Sequence, residues 1–151
     1  MNNNDYKEAL FDAASIFNER MGTEFSEDNL VLCCFQTGNQ QESFEQFYQQ
    51  YFPDRLTDRY KEDGYFDFHA SAFIGKEDGV DGILLRTDIE RHPAVLKHIL
   101  LHELAHIFCI RNELGGDNFY ERYCMDDTIS REEDGTINAG YAVWRELAAE
   151  L

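Results

Sequence analysis

The apolar residues in the first third of the chain follow three successive spacings. Residues 5–22 have a helical spacing that ends at a glycine, with the apolar positions Leu10, Ala13, Ala14, Phe17 and Met21. Residues 29–38 contain a short apolar run followed by a turn signal, which predicts a buried strand. Residues 42–53 predict a second helix that Pro53 ends, and we interpret its stripe of aromatic residues as core packing.

The rest of the chain predicts a pair of strands and two more helices. Residues 64–75 alternate in polarity, and after a short polar turn residues 80–88 form a second strand, so the two are a hairpin or neighbours in one sheet. Pro93 opens a long helix that runs to about Asn112 or Leu114. A polar, acidic excursion follows, and residues 140–151 close the chain as a helix. The order predicts an α+β fold in a single domain, residues 1–151.

The composition and net charge of the chain limit the kinds of partner that we expect it to bind. The chain has 151 residues, of which 30 are acidic and 13 are basic, so its formal net charge is -17. Such a field repels nucleic-acid phosphates and anionic membrane surfaces, so we expect neither as a partner. A basic protein partner or a divalent cation is compatible with it. With 43% hydrophobic residues, the chain can build a folded core.

The N-terminus and the cysteines predict a cytoplasmic protein. The opening residues lack the basic and apolar regions of a secretory signal, and no membrane span is evident. We therefore expect reduced thiols at Cys33, Cys34, Cys109 and Cys124. None of these cysteines has CxxC spacing, so a structural zinc site built on cysteine is not expected.

The long helix carries the candidate chemistry, because residues 102–106 spell HELAH. His102 and His106 are four positions apart, so both imidazoles project from one helical face and can bind one zinc ion. Glu103 lies about 100° further round the helix, beside the open position of such a site. There it can take a proton from a water molecule that zinc has made more acidic. We therefore predict His102 and His106 as metal ligands and Glu103 as the catalytic base.

The surroundings of the motif strengthen this interpretation. The helix is apolar on nearly all sides, so two imidazoles and a carboxylate in it face a desolvation cost that a metal ion would offset. His98 lies one turn before His102 and either supports the site or is an ordinary histidine. Cys109 also projects near this face, where a small core residue is the simpler interpretation.

A catalytic zinc site needs a third protein ligand. No histidine follows His106, so the third-histidine extension of the motif is absent, and the remaining candidates are Cys124 or a carboxylate. Glu146 lies in the predicted final helix with apolar residues on both sides, which predicts a rigid position facing the two histidines. Glu150, one turn later, is the alternative ligand. The predicted set is His102, His106 and Glu146 around one Zn²⁺ ion.

These motifs resemble a known group of enzymes. The HELAH helix, the strand GILLRTD before it and a later helix with Glu146-x-x-Ala149 are similar to the minimal domain of gluzincin-type zinc metallopeptidases of the ImmA/IrrE-like group. The resemblance is strongest over residues 80–151. It implies a zincin-like α+β fold, in which a small mixed sheet packs on the HExxH helix and a second helix supplies a glutamate ligand. It also implies Glu103 as general base, and a strand around residues 82–87 that pairs with an extended peptide substrate.

The predicted function is hydrolysis of peptide bonds in an intracellular peptide or protein by a metal-activated water. The group that stabilises the oxyanion is left open among His92, Tyr120, Tyr123 and Tyr141. The alternative is a zinc-binding protein of the same fold without catalysis, whose acidic surface engages a basic protein partner. The presence of Glu103 favours the enzyme, because a purely structural zinc site needs no base.

Overall fold

The computed structural model describes residues 1–53, 58–75, 79–114 and Glu146. Within these residues the fold is α+β, with three α-helices, a short 3₁₀ helix at Asp58–Lys61 and one three-stranded sheet. The predicted α+β class and mixed sheet are therefore confirmed for this part of the chain. The predicted C-terminal helix lies outside the described residues except for Glu146.

The first two helices follow their sequence signals closely. Helix α1 spans Asn3–Met21, begins with a capping box between Asn2 and Asp5, and ends at Gly22 in the left-handed conformation with φ 68°. Of the five predicted apolar positions it buries four, Leu10, Ala13, Ala14 and Phe17, whereas Met21 at its end is 47% exposed. Helix α2 spans Gln40–Tyr51 and buries Phe44, Phe47 and Tyr48.

The sheet joins strands that are distant in sequence. Strands β1 (Leu30–Phe35), β2 (Ala70–Phe73) and β3 (Asp81–Arg86) have the order β1-β3-β2. Strand β1 pairs with β3 in parallel, from Leu30 opposite Asp81 to Phe35 opposite Arg86, whereas β2 pairs with β3 antiparallel. The last two strands are therefore neighbours, as predicted, although the first of them is only four residues long.

The position of β3 overturns the expected pairing of residues 82–87 with a peptide. Residues 82–85 have β1 on one side and β2 on the other, so both edges of the strand are already occupied. A backbone edge that is used in the ladder cannot accept a further strand. The prediction that this strand binds an extended substrate is therefore wrong, and among the described strands the outer ones are β1 and β2.

An aromatic cluster fills the space between α2 and the sheet. Phe44 is at its centre, with its ring centroid 4.3 Å from that of Tyr48 and 5.2 Å from that of Tyr60. The cluster is completed on its buried side by Phe35, Phe47, Phe52 and Leu84. This packing confirms the predicted core role of the aromatic stripe for Phe44, Phe47, Tyr48 and Phe52, whereas Tyr51 is 38% exposed.

Gly82 of β3 lies directly against the ring of Phe47 in α2. A methyl group at this position would lie 2.6 Å from Cζ of Phe47, which is well inside van der Waals contact. We expect Gly82→Ala to lower the free energy of unfolding by about 1–3 kcal/mol, because overpacking forces a core ring to move. Urea denaturation would measure the change. In a Phe47→Leu background the same substitution should cost less, and an equal cost in both backgrounds would contradict this packing.

Helix α3 spans Pro93–Arg111 and starts at the predicted proline. One stripe of the helix is buried, formed by Leu96, Leu100, Glu103, Leu104 and Ile107. Val95 and Ile110 are 50% and 41% exposed, so the apolar residues of the helix are not all buried. By length and composition alone α3 could cross a membrane, but core helices of soluble proteins share both properties. The cytoplasmic location stays a prediction.

Contacts group the chain into two compact units, residues 1–103 and residues 104–151. The first unit contains the sheet, α1, α2 and the first half of α3. The division falls within the residue range of α3, between Glu103 and Leu104. The organisation of residues 1–151 as a single domain stays a prediction.

Candidate metal centre

The middle of α3 positions the three residues of the HExxH motif. His102 and His106 are half-buried, and the helical backbone places them one turn apart on the same face. The Nδ1 atom of His102 is shielded from solvent. Glu103 is only 7% exposed and belongs to the buried stripe of the helix. The two histidines therefore have the spacing that the motif predicts, and the role of Glu103 stays a prediction.

Glu146 lies beside His106, 40 residues further along the chain. Its Oε2 atom is 3.7 Å from Nε2 of His106, within the unit formed by residues 104–151. The His106 side chain is 15% exposed and that of Glu146 is 57% exposed, so the pair faces solvent on the carboxylate side. The glutamate predicted as the third ligand is thus in contact with one of the predicted histidine ligands.

The three side chains form a donor set suited to zinc. His102 and His106 each offer an imidazole nitrogen from the same face of α3, and Glu146 offers a carboxylate oxygen beside His106. Two ligands of a tetrahedral zinc ion are about 3.4 Å apart, given bond lengths of about 2.1 Å. The distance of 3.7 Å between His106 and Glu146 is close to that value. Two imidazoles and one carboxylate are also the ligand types of a catalytic zinc site, with one position left for water.

The other candidates near the motif have different positions. His92 accepts a hydrogen bond from the Ala94 backbone N–H through Nδ1 at 3.2 Å, so it caps the start of α3. Ten residues of helix place it about 15 Å from His102 along the axis, too far to stabilise an oxyanion at the motif. His98 is exposed. The remaining residues weighed for a site role lie outside the described residues, Tyr120, Tyr123, Cys124, Tyr141 and Glu150.

The described cysteines are poor candidates for metal binding or nucleophilic chemistry. Burial, together with the neighbouring Cys34, raises the pKa of Cys33 to about 12, and burial raises that of Cys34 to about 11. Burial also raises the pKa of Cys109. Because the thiolate is the form that attacks electrophiles, the raised pKa values make these three thiols weaker nucleophiles at neutral pH than an exposed cysteine. The interpretation of Cys109 as a small packing residue agrees with its half-buried position.

Sequence reasoning missed a polar cluster where the two parallel strands end. Thr37 follows β1, and its backbone N–H and hydroxyl both donate to Oδ2 of Asp88, at 3.0 and 2.5 Å. Arg86 donates through Nε to the other carboxylate oxygen of Asp88 at 2.8 Å, and also to the Thr37 hydroxyl. The carboxyl ends of parallel neighbours meet at one edge of a sheet, so knowledge of the β1–β3 pairing would have revealed the cluster.

This cluster should make the stability of the protein depend on acid pH. Hydrogen bonds from Arg86 and then Thr37 hold the pKa of Asp88 well below its usual range. A carboxylate with a lowered pKa stabilises the fold above its unfolded pKa of about 3.9, and this contribution is lost as the pH falls through the folded value. We expect Asp88→Asn to lower Tm at pH 7 and the difference from wild type to shrink below about pH 4.

Thermal unfolding by circular dichroism between pH 2 and pH 7 would measure this difference. Asp63→Asn provides the control, because Asp63 is an exposed carboxylate and its loss should not reproduce the pH dependence. A difference between wild type and Asp88→Asn that stays constant across this range would contradict the role of the carboxylate charge.

Comparisons with known proteins add no identification. The sequence matches no protein-family model, no curated protein and no solved structure.

Proposed function

We propose that the protein is a zinc-dependent metallopeptidase that hydrolyses peptide bonds of an intracellular peptide or protein. The observation that supports it most is the contact between Glu146 and His106, 3.7 Å apart in space and 40 residues apart in sequence. The HExxH motif by itself accounts for two ligands and a base. The nearby carboxylate supplies the third ligand type that a catalytic site requires.

The proposed ligands are His102, His106 and Glu146. A zinc ion bound by them would make a water molecule more acidic and would polarise the carbonyl of the scissile peptide bond. The α3 backbone holds the two imidazoles at a fixed separation, so little conformational entropy is lost on binding. The exposed Glu146 carboxylate leaves the solvent side accessible, where a substrate could enter.

Glu103 is the proposed general base. It follows His102 directly, and its position within the buried stripe of α3 limits access of bulk water to the carboxylate. A carboxylate that is held in place can take a proton from the attacking water and give it to the leaving amine. This sequence of proton transfers consumes one water molecule and yields an acid and an amine, so Glu103 is regenerated after each turnover.

The zinc requirement and the reaction can be tested on the wild-type chain. We expect purified protein to contain about one zinc ion by native mass spectrometry and to cleave members of a diverse peptide mixture. Removal of zinc with a chelator should stop cleavage, and added Zn²⁺ should restore it. A protein that binds zinc tightly but cleaves none of these peptides would favour the alternative, a zinc-binding protein with an acidic docking surface. A protein that binds no zinc would contradict both.

A further inference from the structure

The outer edge of β1 is a second site to consider, separate from the residues of the metal centre. Strand β1 pairs with β3 along one edge only, and among the described residues no strand pairs with the other edge. The ladder shows which groups point outward. The Asn29 carbonyl accepts from Asp81 and the Phe35 carbonyl accepts from Thr87. The odd-numbered residues therefore face β3, and the backbone groups of Leu32 and Cys34 point outward.

This edge lacks the usual protection against strand addition. Proteins commonly protect an edge strand with charged residues, proline or a bulge. Strand β1 reads LVLCCF, six consecutive apolar residues without charge or proline, and all six pair with β3 in unbroken register. An apolar edge with outward N–H and C=O groups is a template for a further strand.

The edge residues Leu32 and Cys34 line a groove of about 300 Å³. Lys7 and Phe11 of α1 and Tyr51, at the end of α2, line the same groove. Leu32 and Cys34 are half-buried in this groove, and Tyr51 is 38% exposed. An extended segment lying beside β1 would thus contact apolar side chains as well as the outward backbone groups.

The charged residues around the groove favour a basic partner. A second hollow of about 420 Å³ shares Lys7, Phe11 and Glu27 with the groove and adds Glu8 and Asp12. The ammonium of Lys7 is 3.4 Å from the Glu27 carboxylate, so the single cation is already paired. Glu8 and Asp12, one turn apart on α1, are exposed and give the hollow an excess of negative charge. A basic side chain is complementary to them.

We propose that β1 accepts an extended, basic segment of a partner protein as an additional strand of the sheet. The segment pairs with the outward backbone groups of Leu32 and Cys34 and directs a Lys or Arg side chain to Glu8 and Asp12. A second copy of this chain is a poorer occupant, because two molecules with a formal net charge of -17 repel each other. The site uses no residue of the metal centre, so it does not depend on the proposed peptidase activity.

The first test is selection of ligands by the wild-type protein from random twelve-residue peptides displayed on phage. We expect the enriched peptides to contain Lys or Arg residues that alternate with apolar residues. Their binding should slow hydrogen exchange of the Leu32 and Cys34 amides, measured by NMR. Enrichment of acidic peptides, no enrichment, or amides that are already protected in the free protein would each overturn the proposal.

Proline substitution then tests strand pairing. Cys34→Pro removes an outward N–H from β1 at a position where an edge strand tolerates proline. Ala72→Pro is the matched control, because the bond from the Arg86 N–H to the His69 carbonyl places the Ala72 N–H on the outer edge of β2. We expect Cys34→Pro to weaken binding of a selected peptide at least tenfold and Ala72→Pro to leave it unchanged. Equal loss in both variants, or no loss in either, would contradict pairing with β1.

Charge reversal provides a test that does not depend on changes within the sheet. Glu8→Lys combined with Asp12→Lys should weaken the selected peptide at least tenfold. Glu62→Lys combined with Asp63→Lys changes the net charge equally at exposed positions that do not line the groove, and should have a much smaller effect. If both double variants weaken peptide binding equally, the peptide is attracted only by the net charge of the protein, and the proposed site is wrong.

Two further measurements separate the other occupants. Sedimentation should show that the free protein is not a dimer formed through β1. A wild-type dimer that Cys34→Pro dissociates would identify a second copy of the chain as the occupant of the groove. The selected peptide should bind equally tightly before and after zinc is removed with a chelator, since none of His102, His106 and Glu146 lines the groove. Loss of peptide binding on zinc removal would place the peptide at the metal centre and contradict a separate site.

Discussion

Glu103→Gln is expected to lower kcat/KM for peptide cleavage by about 10²–10⁴-fold while zinc stays bound, because this range is typical for the loss of a positioned general base. Glutamine has nearly the same size as glutamate and retains an oxygen that accepts hydrogen bonds, so the packing of this buried side chain should change little. Its amide cannot accept a proton at neutral pH. The variant therefore separates the role of the carboxylate as a base from its role in packing.

The measurement is cleavage of a peptide found with the wild-type enzyme, together with zinc content by native mass spectrometry. Glu90→Gln provides the matched control, since it makes the same chemical change at an exposed position just before α3. It should cleave at the wild-type rate. A zinc-loaded Glu103→Gln protein with full activity would mean that Glu103 is not the base. Loss of both zinc and activity would assign Glu103 a role in holding the site instead.

The second large effect concerns zinc binding. His106→Ala and Glu146→Ala are each expected to weaken zinc affinity by more than about 100-fold, because removal of a partner outside the ligand shell already costs 10–100-fold. The physical reason is the loss of one of the three proposed protein ligands, two of which lie 3.7 Å apart. Competition with a chromophoric chelator would measure the affinities.

Two further alanine variants make this experiment specific. His98→Ala removes an exposed histidine one turn before His102 on the same helix, and it should leave zinc affinity unchanged. Glu150→Ala tests the alternative third ligand. If Glu150→Ala loses zinc while Glu146→Ala retains it, the assignment of Glu146 is wrong. If both retain wild-type affinity, neither carboxylate is a ligand and the proposed site is incomplete.

The failure of these two predictions would have different meanings. Loss of cleavage in Glu103→Gln depends on the chemistry of proton transfer, whereas loss of zinc in Glu146→Ala depends only on the donor set. A protein that passes the zinc test and fails the cleavage test retains the metal centre without peptidase activity. In that case binding of a basic partner becomes the leading function, and the groove along β1 is the surface to examine first.

The strands illustrate why the sequence predicted elements better than their arrangement. Alternation over residues 64–75 predicted a long strand, but only Ala70–Phe73 joins the sheet. Tyr65, Phe66 and Phe68 instead pack against the aromatic cluster. An alternating pattern of aromatic residues indicates that their side chains are buried. Both a strand and a turn that covers the core can bury them. Whether the segment forms a strand or a turn depends on which of its backbone N–H and C=O groups form hydrogen bonds with another strand.

The sequence by itself determined the features that depend on local geometry. Gly22 ends α1, Pro93 begins α3, and the HELAH spacing places His102 and His106 one turn apart, because helix ends and side-chain direction follow from backbone bonds a few residues apart. Only the tertiary structure decided that β3 lies between β1 and β2 and that Glu146 lies 3.7 Å from His106. These contacts join residues far apart in sequence, and no local spacing encodes which distant segments pack together.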